Sequence, residues 1–288
     1  MQQKYLFTLL VFLSSFITKA QIVDDSLLIE GHYRTFHFLP SPQSNASLVF
    51  VLHGSGGNGT QMRARTKTLE AIAPTENILL VYPDGYKKYW NECRKTANSA
   101  ANFENINEND FFGGMINYFK ERHQINEKQV FAVGTSGGGH MAYKLAITMP
   151  EKFRAITALI ANLPDTNNMD CAEKRMALPV MIVNGTADKV NPYEGGEVIT
   201  NNISLGFVRS TDRTFAYWSS LAGYKGVAKK EDLPDTDPKD GKTIEKYTFK
   251  KKRKPEVTLL KVINGKHDYP NDIDVHLEAW EFFKRSMK

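Results

Sequence analysis

Gly134-Thr135-Ser136-Gly137-Gly138 is a G-x-S-x-G run that directly follows the apolar stretch Val130 to Val133 and precedes a helical pattern beginning near Gly139. In that setting the run predicts a sharp strand-to-helix turn. The glycines are needed because side chains there would clash with neighbouring backbone. Such a turn lifts the Ser136 hydroxyl above the sheet edge. The helix behind it points N–H groups and a positive dipole end at the place where an attacked carbonyl develops negative charge. The chemistry this allows is acyl transfer through a serine nucleophile.

A serine hydroxyl is a weak nucleophile near neutral pH and needs a base to take its proton. Of the seven histidines, His32 and His37 fall on an early strand, His123 and His276 on helical stretches, and His53 and His140 beside glycine turns. Only His267, in Asn264-Gly265-Lys266-His267-Asp268, lies between the last strand-like run and the C-terminal helical pattern. A base must in turn be oriented by an acid. Asp188 ends Asn184-Gly185-Thr186-Ala187-Asp188, directly after another strand-like run. The chain order Ser136, Asp188, His267 is the one found in α/β-hydrolases. The tetrahedral intermediate also needs N–H donors, and His53-Gly54-Ser55-Gly56-Gly57 follows an early strand where that fold places a glycine-rich loop. The expected donors are the backbone N–H groups of Ser55 and Gly137.

These residues must be held by strands and crossover helices, and the pattern supplies both. Leu48–Leu52, Ile78–Tyr82, Val130–Val133, Ile156–Ile160, Val180–Val183 and Val257–Ile263 are short apolar runs rich in β-branched residues. Phe111–Arg122, Gly139–Thr148 and Val275–Lys288 carry apolar residues at helical spacing. The expected fold class is therefore α/β, an α/β-hydrolase fold whose mainly parallel sheet is flanked by helices on both faces. Glu30–Phe38 reads as an antiparallel edge strand, Glu231–Gly241 as an exposed loop, and Lys242–Phe249 as the hairpin partner of Val257–Ile263. The carboxylates Asp232, Asp235, Asp237 and Asp240 lack the glycine and glutamate positions of a calcium loop. Neither a metal nor a cofactor is expected.

The 288 residues are 41% hydrophobic and 24% charged, the profile of a folded protein, with one domain expected over residues 21–288. Residues 1–20 combine Lys4, an apolar run from Tyr5 to Ile17 and a small-residue end at Ala20, which reads as a signal peptide cleaved near Ala20/Gln21. The run is shorter than the roughly 20 residues that cross a bilayer, so secretion or a periplasmic location is expected, without stable membrane insertion. Export permits disulfides, and Cys93 and Cys171 could pair or remain free. The basic run Lys250–Lys254 has no aromatic interleaving and reads as a solvated turn, so nucleic acid is not an expected partner.

Taken together, the residues resemble the polyhydroxybutyrate depolymerase-like esterases, the branch that holds feruloyl and acetylxylan esterases of carbohydrate esterase family 1. The resemblance runs from about Gly31 to the C-terminal helix. It is carried by Val51-Leu52-His53-Gly54, Tyr82-Pro83-Asp84-Gly85, Trp90-Asn91, the Ser136 turn, Gly185-Thr186-Ala187-Asp188 with its follower Val190-Asn191-Pro192-Tyr193-Glu194-Gly195-Gly196, and Gly265-Lys266-His267. It implies Ser136, Asp188 and His267 as the catalytic triad, and Trp90 as a residue lining the acyl pocket or else a core aromatic. It also implies an ester substrate, either linked to plant polysaccharide or a polyhydroxyalkanoate-type polyester. Members often have glycine before the histidine and Trp-Pro after it, whereas this chain has Lys266 before and Tyr269-Pro270 after. Peptide cleavage by the same triad is the less favoured alternative, and a non-catalytic binding protein the least.

Overall fold

Consecutive residues of a strand point to opposite faces of its sheet, and along the middle strands of this chain both sets are buried. Leu48, Phe50 and Leu52 pack on one face, while Val49 and Val51 pack on the other. These strands are therefore apolar without alternation. The computed structural model describes residues 21–200 and 202–287, and the leader expected over residues 1–20 lies outside them.

In chain order the strands are β1 (Val23–Ile29), β2 (His32–Leu39), β3 (Ser47–Leu52), β4 (Ile78–Pro83), β5 (Val130–Thr135), β6 (Ala155–Leu159), β7 (Val180–Gly185), β8 (Gly196–Thr200), β9 (Ile203–Val208), β10 (Lys229–Asp232), β11 (Thr243–Phe249) and β12 (Val257–Ile263). The helices are α1 (Gly59–Ala64), α2 (Lys67–Ile72), α3 (Ala100–Phe103), α4 (Glu108–His123), α5 (Gly137–Thr148), α6 (Thr211–Leu221) and α7 (Val275–Met287). Ten strands form one sheet in the order β1-β2-β4-β3-β5-β6-β7-β12-β11-β10. The six from β4 to β12 run parallel, and an antiparallel pair is added at each edge. On one face α4, α5 and α6 cover a core that includes Phe111, Phe119, Tyr143 and Trp218. On the other, α1, α2 and α7 cover Phe131 and Leu260 with Met62, Leu69, Trp280 and Phe283. The expected α/β-hydrolase architecture is what the chain adopts. Strands β8 and β9 form a separate hairpin.

Three expectations need correction. The edge strand is β1, paired along its whole length with β2. Glu30 is in the turn between them with φ 47°, not in a strand. The apolar signal of β1 is weak because none of its residues is fully buried at the sheet edge. Glu231 and Asp232 belong to the edge strand β10, where Lys230 and Lys246 neutralise neighbouring carboxylates, and the loop runs only from Leu233 to Lys242. His140 lies inside α5 rather than beside a turn, because the helix starts at Gly137 and takes the glycines as its first turn.

Cys93 and Cys171 are joined by a disulfide. It ties the segment after β4 to the segment after β6, and an isolated bridge between Arg94 and Met169 adjoins it. The bond closes a loop across a sequence separation of 78 residues. Chain entropy then assigns it a stabilisation of about 4 kcal/mol. We expect the Cys93→Ala/Cys171→Ala protein to lose that order of stability in denaturant titration, and reductant to have no further effect on it. A variant as stable as the native chain would contradict the assignment.

Candidate active site

Ser136 occupies the turn between β5 and α5 with φ 53° and ψ −116°, a backbone state that costs a non-glycine residue about 1–3 kcal/mol. The surroundings impose it. The Ser136 N–H donates to the carbonyl of Leu159 on β6 (2.8 Å), and the Ser136 carbonyl accepts from His140 N–H in the first turn of α5 (3.0 Å). A β-carbon on Gly134 would lie 2.0 Å from the Gly138 carbonyl oxygen, and one on Gly138 would lie 2.4 Å from that of Leu52. Glycine alone lets the start of α5 press onto β5 and β3.

Strands β7 and β12 are parallel neighbours, and their ends approach at a second pair of glycines. A β-carbon on Gly185 would be 2.2 Å from the Gly265 carbonyl oxygen. This contact brings the loops that carry Asp188 and His267 together. Ala187 N–H donates to Gly265 C=O (2.8 Å), and Asn264 N–H donates to the Thr186 hydroxyl (2.9 Å). Asp188 Oδ1 accepts from the N–H groups of Val190 and Asn191, both at 2.8 Å, and Oδ2 is 2.7 Å from His267 Nδ1. His267 Nε2 is 3.0 Å from Ser136 Oγ. The three residues singled out in the sequence thus form one hydrogen-bonded chain, with the Asp188 side chain buried and the His267 ring open to a cleft. Lys242 supports the far side of the histidine loop through Asp268 (3.4 Å). Tyr269, where tryptophan was the usual residue of the resembled branch, shares a short hydrogen bond with the hydroxyl of Thr135, the residue before Ser136.

The glycine-rich loop after β3 lies beside Ser136. A β-carbon on Gly137 would be 2.8 Å from Ser55 N, and one on Gly54 would be 3.4 Å from Ser136 Cβ. Among the described residues, neither Ser55 N–H nor Gly137 N–H has a protein acceptor. Two free donors side by side next to Ser136 Oγ make a pocket for a developing oxyanion. His53 fixes the loop from inside. Its Nδ1 donates to Gly54 C=O (2.8 Å) and its Nε2 accepts from Gly85 N–H (2.8 Å), which requires the neutral ring. Burial lowers the His53 pKa in the same direction.

Trp90 does not line the cleft. It is 2% exposed, packs against His53 with the rings tilted and their centroids 4.8 Å apart, and donates its indole N–H to His53 C=O (2.9 Å). A buried indole needs an acceptor, and the loop carbonyl supplies it. Trp90 is the core aromatic that backs the glycine loop. Asp84, in the Tyr82-Pro83-Asp84-Gly85 motif, braces the next segment. It accepts from Gly59 N–H at the start of α1 (2.7 Å) and from Thr35 (2.7 Å), and it pairs with His37 at 3.3 Å.

The cleft has a volume of about 640 Å³ and opens over Ser136 and His267. Ile160, Val190, Val198 and Leu205 supply apolar walls, the last two from the β8–β9 hairpin, which the sequence patterns did not single out. Two arginines, Arg65 and Arg94, also line it. Among the described residues there is no cluster of three or more His, Cys, Asp or Glu side chains suited to a metal ion, and no helix long and apolar enough to cross a membrane.

A profile of the family described as Phospholipase/Carboxylesterase matches residues 38–216. NocK of Nocardia uniformis subsp. tsuyamanensis, a protein named as an esterase, is 27% identical over 176 residues, covering 59% of this chain and 49% of its own length. Feruloyl esterase B of Neurospora crassa is 27% identical over 127 residues, covering 42% of this chain and 41% of its own length. The chain thus spans half or less of the length of these curated relatives. An acetyl xylan esterase from Aspergillus awamori has the same fold, with a TM-score of 0.63 at 14% identity, over 92% of this chain and 99% of that one.

The His37 network has a pH signature. The hydrogen bond to Asp84, reinforced by Asp24, raises the His37 pKa from 6.5 to about 9. Burial opposes ionisation of Asp84, but hydrogen bonds from His37, Gly59 and Thr35 prevail and hold its pKa at about 2. Protonated His37 therefore stabilises the fold fully below pH 6.5, and the contribution is lost as pH rises through about 9. We expect the Tm difference between the native chain and His37→Gln to be largest near pH 6 and to shrink by pH 9. A difference independent of pH over that window would contradict the pairing.

Proposed function

The chain belongs to the phospholipase/carboxylesterase family, and on that premise we propose that it hydrolyses carboxylic esters through an acyl-enzyme on Ser136. The observation that carries this reading is the continuous hydrogen-bonded line from Asp188 through His267 to Ser136, at 2.7 and 3.0 Å. His267 Nε2 takes the Ser136 proton as Oγ attacks the ester carbonyl. The carbonyl oxygen, now negative, is held by the N–H groups of Ser55 and Gly137. Asp188, fixed by two backbone N–H groups, keeps the His267 proton on Nδ1 and balances the imidazolium. His267 then gives its proton to the departing alcohol, and a water molecule repeats the sequence on the acyl-enzyme. The step requires neither metal nor cofactor.

For substrates, feruloyl or acetyl esters carried on plant polysaccharides fit best, with polyhydroxyalkanoate-type polyesters next. The support is the feruloyl esterase among the relatives, the sequence resemblance to that branch, and a cleft within the size range that encloses a molecule of ferulate dimensions. Action outside the cytoplasm follows from the leader expected over residues 1–20, and the Cys93–Cys171 disulfide accords with an oxidising compartment.

The test is the purified chain beside Ser136→Ala and Asp188→Asn on p-nitrophenyl acetate, methyl ferulate, acetylated xylan and a polyhydroxybutyrate suspension. We expect the serine variant to lose on the order of 10⁶-fold in kcat and the aspartate variant roughly 10⁴-fold, with both still folded. A folded native chain without activity on any ester, or a Ser136→Ala protein as active as the native one, would overturn the proposal.

A further inference from the structure

Arg94 is buried to 1% exposure and yet lines the cleft that holds Ser136 and His267. Its guanidinium is only partly used. Glu92 Oε1 accepts from Nε (2.7 Å) and from Nη2, while Glu92 Oε2 accepts from the Arg94 backbone N–H (3.0 Å). Nη1 has no hydrogen-bond partner among the described residues. An unpaired N–H on a buried cation is costly, more so than on a neutral group, and a structure keeps it only when something else compensates. Arg34 also has an unpaired Nη1, but that guanidinium stacks on Phe111 at 4.2 Å and lies outside this cleft.

The position of Arg94 is also rigid. Cys93 is bonded to Cys171, Arg94 itself bridges to Met169, and the next two residues donate to Asn168, Lys95 N–H to its carbonyl (2.8 Å) and Thr96 N–H to its side chain (2.9 Å). Glu92 holds the fork in plane from the other side. A donor fixed in this way needs no ordering when a ligand arrives.

The charge of the cleft has one sign. Arg65 and Arg94 line it, and no Asp or Glu side chain among the described residues does. His140, one turn along α5 from Ser136, lines the same wall, and burial followed by the nearby Arg94 charge keeps it neutral. Arg94, buried with Nη1 unpaired, is therefore a fixed cation in that wall, in surroundings of low dielectric where a charged acceptor is preferred to a neutral one.

We propose that Arg94 Nη1 is a recognition point for a carboxylate borne by the ester substrate, so that the preferred esters are anionic. This rests on the ester-hydrolase reading above and specifies its substrate class further. Arg94 is a specificity-determining residue: its N–H groups receive a substrate carboxylate while Ser136 attacks the ester carbonyl. The carboxylate can belong to the acid part, as in a half-ester of a dicarboxylic acid, or to the alcohol part, as in an acylated hydroxy acid or uronic acid.

Two matched pairs distinguish the sources. Mono-p-nitrophenyl glutarate against its neutral methyl ester tests the acid part, and 4-acetoxybenzoate against 4-acetoxybenzamide tests the alcohol part. We expect the native chain to favour the anion at least tenfold in kcat/KM in one of the pairs. Arg94→Gln should bring that ratio close to one, and Arg94→Lys should keep part of it. The ratio is internal to each preparation and is unaffected if a variant folds in lower yield. Calorimetry of glutarate and of 4-hydroxybenzoate on the Ser136→Ala chain, with and without Arg94→Gln, reads the same subsite without turnover. Binding by the first protein that is lost in the second supports the subsite even if no ester is cleaved, which would count against the hydrolase reading alone. Ratios near one in both pairs, ratios unchanged in Arg94→Gln, or no Arg94-dependent binding would overturn the proposal.

Discussion

At two places along one edge of the sheet, backbone meets backbone at a separation that leaves no room for a β-carbon. Gly134 and Gly138 let the start of α5 close onto β5 and β3, and Gly185 and Gly265 let the loops after β7 and β12 close onto each other. The strained conformation of Ser136 is a consequence of the first contact, and the approach of Asp188 to His267 a consequence of the second. A β-carbon at either place would lie 2.0 to 2.4 Å from a backbone carbonyl oxygen, so the backbone that carries the site would have to shift. The geometry that can do acyl chemistry therefore depends on close packing more than on any one polar bond.

Behind Ser136, the segment from Asp84 to Glu108 is secured by several interactions of different kinds. Asp84 ties its start to α1 and β2, and Trp90 and His53 join it to the glycine loop. Arg34 and Glu108 pair in full burial at 2.9 Å, while Glu108 Oε1 accepts from Asn91 N–H. The disulfide then fixes Cys93. A buried pair adds little net stability over apolar packing but is costly to break, so it acts chiefly to define one arrangement. Arg34–Glu108 fixes the far end of this segment to β2, and Glu92–Arg94 holds Arg94 in the wall of the cleft.

Much of this architecture is legible in the sequence. The middle strands are readable because apolar residues crowd both faces, and Ser136, Asp188 and His267 because each follows the carboxyl end of a strand, where loops of a parallel sheet converge. The same logic separates His267 from six other histidines. Edge strand β1 escapes such a reading because its pattern is diluted by solvent exposure. Trp90 could be assigned to the cleft or to the core, because composition cannot tell which side of a loop an aromatic supports. Arg94 carries no signal, since an arginine in a polar loop looks like any solvated charge.

The sequence alone determined the order of elements, the turn chemistry at the glycines and which serine, aspartate and histidine follow strand ends, because these depend on local sterics and on periodicity that neighbours in the chain impose. The tertiary structure decided the distances between groups 52 to 131 residues apart and the pairing of Cys93 with Cys171. It also decided the inward turn of Trp90, the cover that β8 and β9 give the cleft, and the burial of Arg94 with one face unpaired. Those outcomes follow from the packing of remote segments against one another, a free energy summed over many contacts that no local stretch of sequence contains.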